Sequence, residues 1–303
     1  MEYVYYKTKN GNFGDDLNGW LWPKLFLTEN TDENDSYFLG IGSILNKNIG
    51  LIRNLDSEKK KIVFGSGVRP SIDYDELKID SKWDIRYLRG PLSSYHLGNQ
   101  YKYITDAAYA IRHIPNFDEF LNLPKKYEVS LMPYFQSESY FDWKALCHKL
   151  GYNYISSHCT DDGVEYTLRE IAASKLLITE AMHGAILADI FRVPWHRFSF
   201  SAGHHEGKHV SDFKWNDWLY SIQKFATPVS HVPFYKKTFL NSTIKKLSGD
   251  ILSVEFYRKS KSKEAILKTL SSIDQFTLSK EDVLNNIDSS LHYEITDLRE
   301  SLI

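Results

Sequence analysis

Cysteine is scarce in this chain: Cys147 and Cys159 are the only two in 303 residues. Neither stands at a metal-like spacing from the other, so a disulfide framework is excluded and a reduced, cytosolic setting is expected. Long apolar runs are also missing. The nearest approach, around Leu176 to Trp195, is broken by Glu180, His183, Asp189 and Arg192, which excludes a membrane-spanning helix there. The opening Met1-Glu2-Tyr3-Val4-Tyr5-Tyr6 lacks the basic region and apolar stretch of a secretion signal, and none is expected. No sign of charge dominates: 37 basic against 39 acidic side chains leave a net charge of −2, without the basic excess of a nucleic-acid-binding protein. The glycine pairs Gly40/Gly42 and Gly65/Gly67 do not complete the six-position dinucleotide fingerprint, so a nicotinamide or flavin site is unsupported.

The composition that remains is that of a soluble globular protein, 42% hydrophobic and 25% charged, with length enough for two domains of ordinary size. Aromatic residues reach 15%, which suits a sugar-contacting surface and an aromatic core equally. The first third alternates short apolar strands with polar or helical stretches. Val4–Tyr6 opens as a strand. Tyr37–Leu39 leads into Gly40-Ile41-Gly42-Ser43-Ile44, and Lys61–Phe64 into Gly65-Ser66-Gly67-Val68. Ile85–Leu88 runs into Arg89-Gly90-Pro91 and a helix over Leu92–Leu97, and Thr105-Asp106 closes a further strand. Strands that end in glycine-rich turns with helices between them imply parallel pairing, with ligands bound at the strands' carboxyl ends.

A second αβ series follows the linker-like Asn122–Lys126. It comprises a strand over Glu128–Pro133, a helix over Phe141–Leu150, a strand over Asn153–Ser156, a helix over Val164–Ala173, a strand over Lys175–Thr179, a helix over Met182–Phe191 and a strand over Trp195–Phe200. The pattern predicts an α/β protein of two Rossmann-like domains facing a cleft, residues 1–118 and 119–240. A helical segment, 241–303, follows, with apolar Ile266, Leu267, Leu270 and Ile273 at helical spacing.

Four segments can carry chemistry. In Thr179-Glu180-Ala181-Met182-His183-Gly184-Ala185-Ile186 a buried strand turns at once into a small-residue helix with a histidine in its first turn. The unpaired amides and the dipole at that terminus form an anion site, and the imidazole can bind or protonate a phosphate-bearing substrate; a cap or a satisfied core histidine is the plainer role. Gly11-Asn12-Phe13-Gly14-Asp15-Asp16-Leu17-Asn18 forms a strand-to-helix turn in which one of Asp15 and Asp16 can cap the helix and the other act as acid or base. Pro23 is expected to kink that helix or end it early. Arg89 stands at a strand end where its guanidinium can hold a carboxylate or phosphate, or simply a surface salt bridge. Finally, His204, His205, Glu206 and His209 lie in a glycine-containing stretch ahead of Lys214-Trp215-Asn216-Asp217-Trp218. Their spacing matches no standard metal pattern, and a mobile loop that brings His205 and Lys214 to an anionic substrate is the more economical expectation.

Taken in order over residues 5–220, these segments resemble the polysaccharide pyruvyl transferase family, in its succinoglycan-type ketal-forming branch. The resemblance rests on Asn12–Asn18 with Leu21-Trp22-Pro23, Gly40–Ile44, Phe64–Gly67, Arg89-Gly90-Pro91, Thr105-Asp106, Glu180–Ala185, Arg192–Trp195 and Lys214–Trp218. It implies a fold similar to GT-B glycosyltransferases, with an acceptor side in the first domain and a donor side in the second. It also implies transfer of pyruvate from phosphoenolpyruvate to a surface-polysaccharide sugar or its lipid-linked precursor, as a ketal. No cofactor or metal is implied. Such an acceptor would place the enzyme at the inner membrane face, with at most peripheral membrane contact.

Much of the wider family carries an arginine where this chain has Ala181, so Arg89 and Lys214 become its replacements as cations for the donor. By the same resemblance His183 is the general acid, and Asp15 or Asp16 receives the acceptor hydroxyl's proton. Gly42, Ser43, Gly65, Ser66, Gly67, Glu180, Met182, Gly184 and His205 line the substrate site. A nucleotide-sugar glycosyltransferase and a non-catalytic sugar-phosphate-binding module are the alternatives.

Overall fold

A computed structural model describes residues 1–26, 36–70, 77–159, 163–234 and 254–302, with backbone only for 254–260. Its strands and helices follow the alternation in the sequence. The first stretch holds β1 (Glu2–Tyr3), α1 (Phe13–Leu25), β2 (Ser36–Leu39), β3 (Ser43–Leu45), α2 (Gly50–Arg53), β4 (Lys60–Phe64), β5 (Gly67–Val68), β6 (Trp83–Tyr87) and α3 (Pro91–His96). A 3₁₀ helix over Ala107–His113 and α4 (Asp118–Leu121) lead to β7 (Tyr127–Met132), α5 (Trp143–Leu150), β8 (Asn153–Tyr154), α6 (Gly163–Ala172), β9 (Ser174–Thr179), α7 (Met182–Ile190), β10 (Trp195–Ser199), α8 (Ala202–His205), α9 (Lys208–Ser221) and β11 (Val229–His231). Helices over Val254–Ser271 and Glu281–Ser301 end the described chain; residues 241–253 of the expected helical segment lie outside it.

Every ladder between these strands is parallel. One sheet has the order β1-β2-β4-β6 and a second β11-β10-β9-β7-β8, while β3 and β5 pair apart from both. Both faces of a parallel sheet are covered, and the side-chain alternation shows it. On β4, Ile62 and Phe64 enter one core while Val63 between them enters another; on β7 and β9, Met132 and Leu177 face one side and Leu131 and Ile178 the other. One apolar core joins the two halves. It takes Trp22, Phe38 and Phe64 from the first sheet's side, Leu177, Ala185 and Ile186 from the second's, and Leu284, Leu291 and Leu298 from the last helix.

Three local expectations need correction. The first strand is Glu2–Tyr3, not Val4–Tyr6, because its partner β2 stops at Leu39; only the Val4 amide still bonds the Phe38 carbonyl. Thr105-Asp106 closes no strand: Leu88 and Tyr103 make a single bridge, and Asp106 instead caps the 3₁₀ helix through the Ala108 amide. Pro23 does not shorten α1, which continues to Leu25. In the last turn it removes only a bond to the Gly19 carbonyl, and the Phe26 amide still reaches the Trp22 carbonyl.

Candidate active site

The turn from β9 into α7 is built tightly. Thr179 Oγ1 donates to the Ala181 carbonyl at 2.9 Å, and a side chain at Gly184 would collide with that hydroxyl and with Met132 Sδ. Glu180 is buried and fully engaged. One of its oxygens accepts the amides of Phe200, Ser201 and Ala202 at 2.7–2.9 Å, and the other accepts the Ser137 hydroxyl at 2.5 Å. It ties the turn to the end of β10. Ala181 is the N-cap of α7 and offers no side-chain bond, so the first amides of the helix stay open.

His183 stands in that first turn with its imidazole edge against Gly14 of α1. A Cβ at Gly14 would overlap Nδ1, so the two helix N-termini can meet only through this glycine. Nε2 is buried without a hydrogen-bond partner and lies 3.8 Å from Asp106 Oδ1. That separation suits an ion pair and is too long for a hydrogen bond. Burial works to raise the Asp106 carboxyl, but the His183 imidazole, the Arg89 guanidinium and the Ala108 amide together hold it below the ordinary carboxylate value. Asp106 therefore stays ionised beside the ring. Nε2 thus faces Asp106 while Nδ1 lies against Gly14.

The two aspartates of α1 separate in role. Asp16 Oδ2 accepts the Asn12 amide at 2.7 Å, closing the helix start on itself. Asp15 lines the cleft, where Asn12 Nδ2 donates to it at 2.5 Å. Burial pushes the Asp15 carboxyl up to about 6; His183, Asn12 and Lys214 act against the rise and Asp16 adds to it. A carboxyl so placed exchanges protons near neutral pH.

Arg89 is not a surface salt bridge. It is 1% exposed, and its Nε donates to Asp217 Oδ2 at 3.0 Å while Nη1 donates to Ser43 Oγ at 2.5 Å. Nη2 is buried without a partner. Asp217, from α9, also accepts the Ser93 amide at 2.9 Å and the Ser93 hydroxyl at 2.6 Å, and so caps α3 from another helix. Gly90 permits this: a side chain there would strike the Asp217 backbone. Lys214, also on α9, pairs with Glu206 at 2.5 Å and lies 5.7 Å from the centre of the Tyr134 ring. Burial and then Glu206 raise the Tyr134 hydroxyl, which stays protonated.

These groups converge on a cleft of about 340 Å³. Of the residues singled out in the sequence, Asp15, Gly42, Ser43, Arg89, Met182, His183, His205 and Lys214 line it. Asp16, Gly65, Ser66, Gly67, Glu180 and Gly184 do not; they hold its walls. Ser66 donates to the Gly40 carbonyl at 2.5 Å, and Gly67 makes room for the Arg89 guanidinium. The expected mobile loop is corrected: His205 ends α8 and Lys214 lies inside α9, joined through Gly207 at φ 88°. His205 Nε2 sits 3.2 Å from the Tyr140 hydroxyl, and among the described residues no three His, Cys, Asp or Glu side chains gather as metal ligands.

Sequence reasoning missed Asp106 as a partner of His183, and it missed Tyr134 and Arg69, which line the cleft. Only the fold brings these residues, distant along the chain, to the histidine helix. Arg69 follows the Gly65-Ser66-Gly67 turn with no motif of its own to mark it.

Comparison with known proteins adds an independent finding. A family model described as polysaccharide pyruvyl transferase matches residues 2–201. The chain is 35% identical over 223 residues to the succinoglycan biosynthesis protein ExoV of Rhizobium meliloti (strain 1021), a match covering 73% of this chain and 65% of that one. It thus spans just under two thirds of that relative's length. Among solved structures, a variant of the wall teichoic acid polymerase TagF soaked with CDPG aligns over 87% of this chain and 73% of its own at 14% identity and a TM-score of 0.33. A second TagF variant gives 15% identity at the same score, too low to establish a shared fold.

Proposed function

The chain belongs to the polysaccharide pyruvyl transferase family, and from that premise we propose that it transfers pyruvate from phosphoenolpyruvate to a sugar of a surface polysaccharide or its lipid-linked precursor, forming a cyclic ketal. The observation that carries the reading is the grouping at the N-terminus of α7 of His183, Asp106 at 3.8 Å from its Nε2, and the cleft-lining Asp15, whose carboxyl feels the His183 charge. It brings an ionised carboxylate and a second carboxyl, tuned to about 6, to the same imidazole.

The chemistry needs those groups. A proton adds to the methylene carbon of the donor, which becomes a methyl, while one sugar hydroxyl bonds to the adjacent carbon and gives up its proton. A second hydroxyl then bonds to the same carbon as the bond to the phosphate oxygen breaks; its proton leaves with inorganic phosphate. His183, with the first amides of α7, holds the phosphate and serves as general acid. Asp106 orients the imidazole. Asp15 receives the hydroxyl proton. Arg89, through its unpartnered Nη2, and Lys214 offset the donor's negative charge.

In this reading the frame is GT-B-like, with Rossmann-like units over 1–118 and 119–240. It is supported by the two parallel sheets, each drawn from one of those stretches, and by a cleft lined from both. No helix among the described residues is long and apolar enough to cross a membrane, and a lipid-linked acceptor is read as being met through peripheral contact at the inner membrane face.

The test is incubation with phosphoenolpyruvate and a panel of oligosaccharides, following phosphate release and the mass of a pyruvate ketal. The wild-type protein should yield both products, and His183→Ala and Arg89→Ala neither. Near-normal transfer by both variants would remove the site assignment. Binding of nucleotide diphosphates without any response to phosphoenolpyruvate would overturn the donor.

A further inference from the structure

The cations of the cleft differ in one respect: whether a carboxylate already holds them. Arg89 has Asp217, Lys214 has Glu206 and His183 has Asp106. Arg69 lines the same cleft and has no acidic partner among the described residues. Its backbone, by contrast, is firmly held. The Arg69 amide bonds the Leu45 carbonyl at 3.2 Å, Asn46 Nδ2 donates to the Arg69 carbonyl at 2.7 Å, and Pro70 restricts it to extended conformations.

Extension fixes its direction. Arg69 lies two residues beyond Gly67 on the β5 strand line, so the two positions share a face, about 7 Å apart. The Arg89 guanidinium occupies the space a side chain at Gly67 would fill. Arg69 therefore leaves the strand on the side where Arg89 Nη2 is buried without a partner. Ala181, which also lines the cleft, supplies no charge. Two guanidinium groups, one held by Asp217 and one without an acidic partner among the described residues, thus border the same cleft.

We propose that Arg69 is the donor-carboxylate residue of this chain, closing with Arg89 Nη2 on the carboxylate of an enol-phosphate substrate while His183 and the α7 amides take its phosphate. This inference rests on the proposed function and assigns the substrate's two anionic ends to different groups of the cleft. It makes Arg69 a specificity residue, selecting a carboxylated enol phosphate over one without the carboxylate.

The experiment compares wild type, Arg69→Gln and Arg69→Lys in steady-state transfer from phosphoenolpyruvate, in inhibition by inorganic phosphate and in binding of vinyl phosphate, which lacks the carboxylate. Arg69→Gln should raise KM for phosphoenolpyruvate about ten- to a hundred-fold, the loss expected for a charge-assisted contact. Its response to inorganic phosphate and to vinyl phosphate should stay within about twofold of wild type, because neither meets Arg69. Arg69→Lys should recover part of the loss, since the charge remains but the fork does not. If Arg69→Gln fails to fold, Arg69→Lys alone carries the readout, with a raised KM for phosphoenolpyruvate and unchanged vinyl phosphate binding. An unchanged KM in Arg69→Gln, or an equal loss toward all three compounds, would overturn the assignment while leaving the proposed function standing. A wild-type protein that neither binds nor turns over phosphoenolpyruvate would end both.

Discussion

His183 is coupled to two carboxyls, Asp15 near its titration point and the ionised Asp106. The imidazole depends on both. Asp106→Asn should keep the ring's place but remove the charge beside it, lowering kcat/KM roughly 10²- to 10⁴-fold with little change in Tm. A kcat/KM within a few-fold of wild type would show that Asp106 serves only the 3₁₀ helix. Asp15 makes a pH prediction. Its folded pKa of about 6 lies above the ordinary 3.8, so the folded state holds this proton more tightly than the unfolded chain. Stability from this group is full below that ordinary value and is lost as pH rises to about 6 and beyond. Asp15→Asn should therefore raise Tm at pH 7, show no gain below pH 4, and abolish the acidic limb of the rate profile near pH 6.

At the scale of elements, the site depends on helices held at their ends by side chains from elsewhere. Asp217 of α9 caps α3 and pairs with Arg89, entirely out of solvent. Removing one member of such a pair leaves a buried charge uncompensated. Asp217→Ala should cost about 3–5 kcal/mol in urea denaturation. The double variant Arg89→Met with Asp217→Leu should regain most of that stability but no transfer activity, which separates the pair's structural part from its chemical one. Glu180 does comparable structural work for the turn before α7, with five donors on its carboxylate. The sequence placed Glu180 beside His183 but could not tell a ligand contact from an anchor. That distinction depends on where the amides of Phe200–Ala202 arrive.

At the scale of the molecule, one apolar core runs between the sheets, and the last helix belongs to it. Leu284, Leu291 and Leu298 are each fully buried in the cluster that contains Trp22 and Ile186. Polar bonds reinforce the docking: Arg112 to Asp288, Lys102 to Glu294, and Arg299 to the Leu25 carbonyl. Leu291→Ala should cost about 2–5 kcal/mol. Because the core is continuous, the loss should appear as a single urea transition shifted as a whole; two separated transitions would show that the halves unfold independently.

The sequence by itself determined the alternation of strands and helices, the parallel pairing and the strand-to-helix turns that carry Asp15 and His183. All of these follow from local periodicity and from glycine, proline and capping residues a few positions apart. The family, too, was legible, because its short motifs keep their order along the chain. Only the tertiary structure decided which charge belongs to which. Arg89 is held by a residue 128 positions away and His183 faces Asp106 from another element, while Arg69 lines the cleft without an acidic partner among the described residues. Electrostatic partnership depends on distance and burial in space, and neither is written in the spacing of residues along the chain.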